Sequence, residues 1–557
     1  MAGLLKSLAQ GGQILAHRVR MVRQVLKMAL IISLSISIIF FALELLKIPV
    51  KQYQGTWYYY KVLYFDKESQ STIKESYWNP MVRTKKSRIV LVPRNSLLKK
   101  ALRDKYALFT SVGKVVNKAD SLIKLIFLTL SLFFTLQGIL AMRRKQVSGI
   151  YFKSLRWLKL RLLLSRQLSN ISIGKMPLIK GSETKHMLIT GTTGTGKSTC
   201  LNQLLQSIRK QGDRAIIVDV TGEFVSNFYR EGQDFILNPF DNRSVEWHPW
   251  CEGGEDYHFE QIAKNLIPNN TQYDQFFPEA SRAVLSAALK KAYVTKQFNI
   301  EDFTDFLLRA DVEELYEELR DTDAALYLDP KGERTTLSIR ATVSNIIRYF
   351  RALKPTETPF SIKEWILSEA EKSEWLFISS STEQRASLNP LIAMWFSIAM
   401  NALKSREPSR FQQKLWFIID ELPTLEKLEP LESALAEFRK YEGCIVIAVQ
   451  DLSQLDKRYG THVTKTIIDL CGTKICLRQG DAEVAKRVSS YFGQKEMLET
   501  QESLSYGAHE MRDGVSLSKS EKEKAVVSSS QIMSLKDLEA YVKYPSNLPI
   551  TKVHFSH

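Results

Sequence analysis

His186-Met187-Leu188-Ile189-Thr190, followed by Gly191-Thr192-Thr193-Gly194-Thr195-Gly196-Lys197-Ser198-Thr199, reads as a strand running into a glycine turn. From Cys200-Leu201-Asn202-Gln203-Leu204-Leu205 onward the apolar residues fall at helical spacing. Gly191 and Gly196 let the backbone turn sharply and aim its N–H groups at phosphate oxygens, while Lys197 reaches the terminal phosphates and Ser198 holds Mg2+. The phosphates then sit at a helix N-terminus, which favours negative charge. A surface turn rich in Gly and Thr needs neither the strand before it nor the helix after it, so residues 191–199 are the candidate cradle for ATP.

Beyond Lys180 short β-branched runs alternate with helical patterns, predicting an α/β fold with a parallel sheet wrapped by helices. Strands are expected at Arg214–Asp219, Trp375–Ser379, Leu415–Asp420, Cys444–Val449 and Thr473–Arg478. Between Asp256 and about Lys363 only helical patterns appear, so an all-helical subdomain is expected as an insertion. Its acidic face, Glu313, Glu314, Glu317 and Glu318, reads as a solvated helix surface, with docking of a basic protein as the alternative. The run Leu415–Ile419 delivers Asp420 and Glu421 at the strand end where open α/β sheets bind ligands. Asp420 is the expected second Mg2+ ligand beside Ser198, and Glu421 is expected to orient or deprotonate the attacking water.

The chain of 557 residues is too long for one core, and its net charge of +17 suggests a nucleic-acid binder. The distribution corrects that impression. Residues 1–190 hold 33 Lys and Arg against 7 Asp and Glu, and the remainder holds 44 against 53. The excess therefore precedes the glycine turn, where two stretches read as membrane spans, Met28–Leu46 and Leu125–Met142. The second, at about 18 residues, spans roughly 27 Å as a helix against a hydrocarbon core of about 30 Å. Arg18, Arg20, Arg23 and Lys27 before the first span, and Arg143, Arg144, Lys145, Lys153, Arg156, Lys159 and Arg161 after the second, place both flanks and both termini in the cytoplasm. The loop between the spans is also basic, but it exceeds the length of about 60 residues over which loop charge sets topology. Its cluster Trp57-Tyr58-Tyr59-Tyr60 reads as an interfacial aromatic belt or a small β core.

The expected organisation is a cytoplasmic N-terminus (1–27), a span (28–46), an outward loop domain (47–124), a span (125–142), the first part of the nucleotide domain with a juxtamembrane linker (143–255), the helical insertion (256–365), and the second part with a short C-terminus (366–557). None of Cys200, Cys251, Cys444, Cys471 and Cys476 lies in the outward loop, and no CxxC pair or histidine cluster appears. Neither a disulfide nor a structural metal is expected.

Two spans around an outward loop, the turn Gly191–Thr199, Val218-Asp219-Val220-Thr221-Gly222-Glu223-Phe224, the helical insertion, Leu415–Glu421, and Ala448-Val449-Gln450-Asp451-Leu452-Ser453-Gln454-Leu455 together make the chain similar to one family. It resembles the TraD-type coupling proteins of conjugative type IV secretion systems, RecA-like motors related to the FtsK and HerA translocases. The resemblance implies a RecA-like P-loop NTPase domain and a role for Gln450 in sensing the γ-phosphate or its water. It also implies that Arg439, in Glu437-Phe438-Arg439-Lys440-Tyr441, enters a neighbouring subunit's site. Further implications are a homo-hexameric ring in the bacterial inner membrane, ATP and Mg2+ as cofactors, single-stranded DNA with its attached relaxase as cargo, and the type IV secretion channel as partner. Arg478 and Arg487 fall in a segment resembling the family's subunit-contact region, and a plain surface placement fits them equally. Some members carry a long acidic C-terminal tail for substrate selection. Here the chain stops at His557, so selection is expected in the insertion or near Leu535–Tyr544. Rival readings are an ATP-binding membrane receptor or scaffold for secreted protein substrates, and an FtsK-like double-stranded DNA translocase. The latter usually has more spans, a long linker and a C-terminal winged helix.

Overall fold

The computed structural model describes residues 2–556 except 66–69, 80–83, 142–144, 268–275, 329–331, 369–372, 409–412 and 506–513. Arg143 and Arg144 lie outside the described residues. The chain divides into two compact units, residues 1–145 and 146–557.

In the first unit two long helices, Ala2–Leu46 and Arg94–Ala141, pack against each other. Both contain segments long and apolar enough to cross a membrane, Met21–Leu46 and Leu98–Gln137. Along the first, Ala29, Ser33 and Ser37 are buried while Leu30, Ile31, Ile38 and Ile39 are exposed. Small residues face inward at four-residue spacing and large apolar ones face out, the arrangement of helices that pack closely in lipid. The second helix starts well before Leu125, because residues 94–124 carry apolar positions at helical spacing and no proline. The intervening segment holds a helix, Val50–Tyr64, and an antiparallel hairpin, Gln70–Asn79 with Thr84–Pro93. Trp57–Tyr60 is therefore helical and is not part of a β core. Lys105 Nζ sits 4.5 Å and 4.8 Å from the Tyr59 and Tyr60 ring centres, a cation-π contact that fixes this helix face.

The second unit is built on a nine-stranded sheet. In chain order its strands are β1 (Met187–Thr190), β2 (Arg214–Asp219), β3 (Phe235–Leu237), β4 (Trp375–Ser379), β5 (Leu415–Ile419), β6 (Gly443–Val449), β7 (Thr473–Cys476), β8 (Glu539–Lys543) and β9 (Thr551–His554). The spatial order is β9-β8-β7-β1-β6-β5-β2-β4-β3, with the seven from β7 to β3 parallel and, at one edge, β8 antiparallel to both β7 and β9. Central strands are buried on both faces. Met187 and Ile189 pack with Leu201, Leu204 and Leu205 of the helix Lys197–Gln211, and Leu188 faces the opposite core with Leu391, Trp395 and Phe417. This double burial explains the continuous apolar runs in the sequence. The helix Arg385–Lys404 is apolar and long enough for a span, yet residues 391–400 are all buried, so it belongs to this core.

Among the described residues of 256–365 there is no strand. Helices Asp256–Leu266, Phe276–Val294, Ile300–Arg309, Val312–Leu319, Glu333–Ile347 and Ile362–Leu367 fill the insertion. Asp311 caps Val312–Leu319 by accepting from Glu314 N–H at 2.8 Å. Glu313 and Glu314 thus lie in the first turn, where acidic side chains complement the helix dipole, and all four glutamates of the face are solvent-exposed.

The segment Leu535–Tyr544, one of the two places expected to serve substrate selection, is built into the sheet. It carries β8, and Leu535, Ala540, Val542 and Tyr544 are buried. The run is short and bracketed by Glu539 and Lys543, so its burial was masked by its charged ends. A long hairpin, Gln494–Ser505 with Gly514–Ala525, precedes it and is joined by the strand Lys145–Gly149.

Candidate nucleotide site

Parallel strands β1, β2, β5 and β6 all end at one edge of the sheet, and their following residues converge there. After β1 the glycine turn is tied down on both sides. Gly191 N–H donates to Val449 O at 3.3 Å, Thr192 N–H donates to Arg478 O at 3.0 Å, and Thr195 Oγ1 donates to Thr192 O at 2.7 Å. Gly196 precedes the helix at φ +109°, and a Cβ there would lie 2.6 Å from Leu538 Cδ2. A Cβ at Gly191 would meet Leu477 and Thr195 at 2.7 Å, so both glycines are required by the close approach of neighbouring chain.

Lys197 is buried, and its ammonium donates to Gly191 O at 2.7 Å and Thr192 O at 3.2 Å, folded back onto its own turn. Burial lowers its pKa, and Glu421 and Asp420 oppose that. The two acids after β5 shift the other way. Burial, with Asp219 and Glu223 nearby, pushes Asp420 up to about 6. Burial pushes Glu421 up to about 7 against the Gln450 N–H and Lys197. Glu421 Oε1 accepts from Gln450 N–H at 3.1 Å, and its Oε2 is buried with no hydrogen-bond partner. The Gln450 side chain is exposed and its Oε1 accepts from Thr193 Oγ1 at 3.0 Å.

These groups line one cavity of about 420 Å³, bounded by Thr193, Gly194, Gly196, Lys197, Ser198, Thr199, Thr221, Glu223, Asp420, Glu421, Gln450, Asp537 and Leu538. A triphosphate fits this donor and acceptor set. The backbone and Lys197 offer positive charge, and the unpartnered Glu421 oxygen offers an acceptor for a water. Ser198 and Asp420 line the same cavity and are the residues that would hold Mg2+, leaving its remaining positions to phosphate and water.

Two of these residues, Thr221 and Glu223, belong to the shared stretch Val218–Phe224, in which no site role was assigned, and two, Asp537 and Leu538, carried no advance signal for the cavity. Thr221 and Glu223 sit in the turn after β2, where Asp219 accepts from Thr221 N–H, Gly222 N–H and Val225 N–H and so shapes the loop. Arg385, outside the cavity lining, donates to Val220 O at 2.8 Å and slightly opposes the upward shift of Asp420. Asp537 and Leu538 come from a distant segment with no motif. Arg439 is not brought to this site. It is exposed on the turn Phe438–Tyr441 ahead of β6, whereas the site lies past the far end of that seven-residue strand, about 20 Å away. Arg478 pairs with Asp537 at 2.8 Å, and Arg487 pairs with Asp456 at 2.5 Å while also donating to Tyr491 Oη.

Comparison with known proteins fits this architecture. Residues 170–556 match the type IV secretion-system coupling protein DNA-binding domain. Coupling protein TraD of Escherichia coli (strain K12) is 36% identical over 394 residues, 70% of this chain and 55% of its own length. Conjugal transfer protein TraG of Escherichia coli is 21% identical over 59% of this chain and 58% of its own length. The chain thus spans little more than half the length of these curated relatives. The solved structure of the plasmid coupling protein TrwB in complex with ADP and Mg2+ superposes with a TM-score of 0.65 at 26% identity, covering 74% of this chain and 95% of that one. An unbound TrwB form gives 0.66 at 27% identity over 74% and 94%. With its RecA-like sheet, its glycine turn and a domain match across most of its length, the chain belongs to the type IV secretion-system coupling protein family.

Proposed function

We propose that this protein is a membrane-anchored ATPase that couples a DNA-processing complex to a type IV secretion channel and drives transfer of single-stranded DNA with its attached relaxase. The observation carrying the hydrolytic reading is the buried, unpartnered Glu421 oxygen in the same cavity as Lys197. A buried acceptor without a partner is costly, and an attacking water offsets that cost. Lys197 swings from the Gly191 and Thr192 carbonyls to the β- and γ-phosphates, exchanging neutral acceptors for anionic ones. Glu421 orients the water and takes its proton, for which a pKa of about 7 is well placed. Gln450, fixed through Thr193 and through its N–H to Glu421, reports the state of the γ-phosphate to β6. Mg2+, when bound, neutralises charge developing on the phosphates. Asp420 and Ser198 are the residues that would hold it.

In this reading the two long N-terminal helices span the inner membrane with both termini in the cytoplasm. The motor domains form a hexameric ring around the DNA. Arg439, remote from the site of its own chain, serves the neighbouring subunit. TrwB with ADP and Mg2+ supports the nucleotide assignment, and the match to the coupling proteins supports the cargo.

The test is ATP hydrolysis by the full chain in detergent, with and without single-stranded DNA. DNA-stimulated turnover that disappears in Lys197→Ala is expected, and turnover indifferent to DNA or to that substitution refutes the motor. Arg439→Ala should abolish the rise of specific activity with protein concentration while ATP binding persists. An unchanged concentration dependence removes Arg439 from the mechanism.

A further inference from the structure

The nucleotide cavity has two flanks, and the sheet order separates them. Glu421 and Gln450 follow β5 and β6 on one side of β1, while Arg478 follows β7 and Asp537-Leu538 precede β8 on the other. With Lys197, Asp420 and Glu421 setting the γ-phosphate end, the nucleoside must leave the glycine turn toward the β7–β8 side. There the chain places a clamp. Leu538 N–H donates to Thr195 O at 2.9 Å, its carbonyl accepts from Phe555 N–H at 2.8 Å, and its side chain packs where a Cβ on Gly196 would fall. Leu538 holds φ +64°, a conformation that a leucine adopts only when its surroundings impose it. Beside it Asp537 lines the cavity, with Oδ1 held by Arg478 at 2.8 Å. A carboxylate at this flank repels phosphate and accepts from hydroxyls, the use that dinucleotide folds make of an acid at the ribose.

We propose that Asp537, positioned by Arg478, reads the ribose hydroxyls of the bound nucleotide, with Leu538 as the apolar wall beside the sugar. The assignment rests on the nucleotide reading above and adds a sugar specificity to it. Arg478 acts as a positioning residue, restricting a carboxylate that solvent otherwise leaves mobile. Coming from the segment after the long hairpin, the clamp makes nucleotide affinity depend on how the C-terminal strands close the sheet.

The experiment is equilibrium binding of ATP and 2′,3′-dideoxy-ATP to the full chain in detergent with Mg2+. The wild type is expected to prefer ATP by about tenfold, the scale of a hydrogen bond to a charged acceptor. Asp537→Ala should bind ATP about tenfold more weakly and dideoxy-ATP unchanged, erasing the preference. Asp537→Asn, which keeps an acceptor, should restore part of it, and Arg478→Met should fall between wild type and Asp537→Ala. Equal binding of the two nucleotides by wild type, or a preference surviving in Asp537→Ala, overturns the ribose assignment alone. Failure of wild type to bind either nucleotide overturns the nucleotide reading and this assignment together.

Discussion

Opposite edges of the same sheet both bury charge, and they do so in opposite ways. At the edge where the strands begin, Arg209 donates to both oxygens of Asp234 at 2.9 and 2.7 Å and to the carbonyls of Ser373 and Phe228. Its guanidinium stacks 3.6 Å from the Trp375 ring centre. Asp234 also accepts from Arg230 N–H and Trp375 N–H. At the edge where the strands end, Lys197 has only carbonyls from its own turn, and Glu421 keeps a buried oxygen with no partner. The first cluster is closed around its carboxylate, with both Asp234 oxygens paired and only the Arg209 Nε left without a partner, and the second is open. A buried carboxylate oxygen that lacks a partner and lines a cavity is in the state a ligand completes, so the contrast agrees with the motif in placing the site at this edge.

The largest test of this contrast is at the open edge. Glu421→Gln keeps shape and burial while removing the base, so turnover should fall by about 10²- to 10³-fold with ATP binding retained. Steady-state hydrolysis together with equilibrium binding separates the two. A loss of binding equal to the loss of turnover would mean that Glu421 holds the nucleotide and does not activate water. Thermal stability should be unchanged or raised, because a neutral amide removes the cost of a buried carboxylate that burial already pushes up to about 7.

At the closed edge the signs reverse. Asp234→Ala strands the Arg209 guanidinium in the core, and removing one partner of a buried pair costs about 3 to 5 kcal/mol. Chemical denaturation should show that loss, while the folded fraction binds ATP with wild-type affinity. If Asp234→Ala instead impairs nucleotide binding at full stability, the two edges are not independent.

The open and closed edges also differ in how far they could be read in advance. The central strands β2, β4, β5 and β6 were legible because burial on both faces demands unbroken apolar runs, and the helical insertion was legible because no β-branched run interrupts 256–365. Lys197, Asp420, Glu421 and Gln450 were legible because each directly follows such a strand or the glycine turn. Asp537 and Leu538 were not. They reach the cavity through strand order and an edge β8 whose three-residue apolar run, Ala540-Tyr541-Val542, is too short to distinguish from a loop. The helix Val50–Tyr64 was obscured by aromatic residues that favour strands in isolation, which packing overrides.

His186 provides a pH test of the closed edge. Its Nδ1 accepts from Ile445 N–H at 3.1 Å and its Nε2 lies 2.9 Å from Leu435 O, so the neutral ring is fully used. Burial lowers its pKa from 6.5 to about 4. Because the folded value is depressed, the unfolded chain binds more protons in between. The stabilisation is present above pH 6.5 and is lost as pH falls through about 4. At pH 5 the loss should reach about 2 kcal/mol. His186→Asn should be less stable than wild type at pH 7.5 but should lose less between pH 7.5 and 5, as read by urea denaturation at the two values. A parallel decline in both proteins would assign the acid sensitivity to other groups.

The smallest expected effect bears on how the open edge is organised. Thr193 Oγ1 donates to Gln450 Oε1 while the Gln450 N–H donates to Glu421, so three residues from three loops form one chain of hydrogen bonds. Thr193→Val preserves volume and removes only the hydroxyl donor. A single exposed hydrogen bond is worth about 1 kcal/mol, so turnover should drop severalfold with ATP binding little changed. The informative comparison is with Gln450→Ala alone and in combination. If Thr193 acts by aiming Gln450, the double variant should match Gln450→Ala, because the hydroxyl then has nothing to position. Additive losses would show that Thr193 contacts the phosphates directly, and the open edge would hold two separate sets of donors in place of one connected relay.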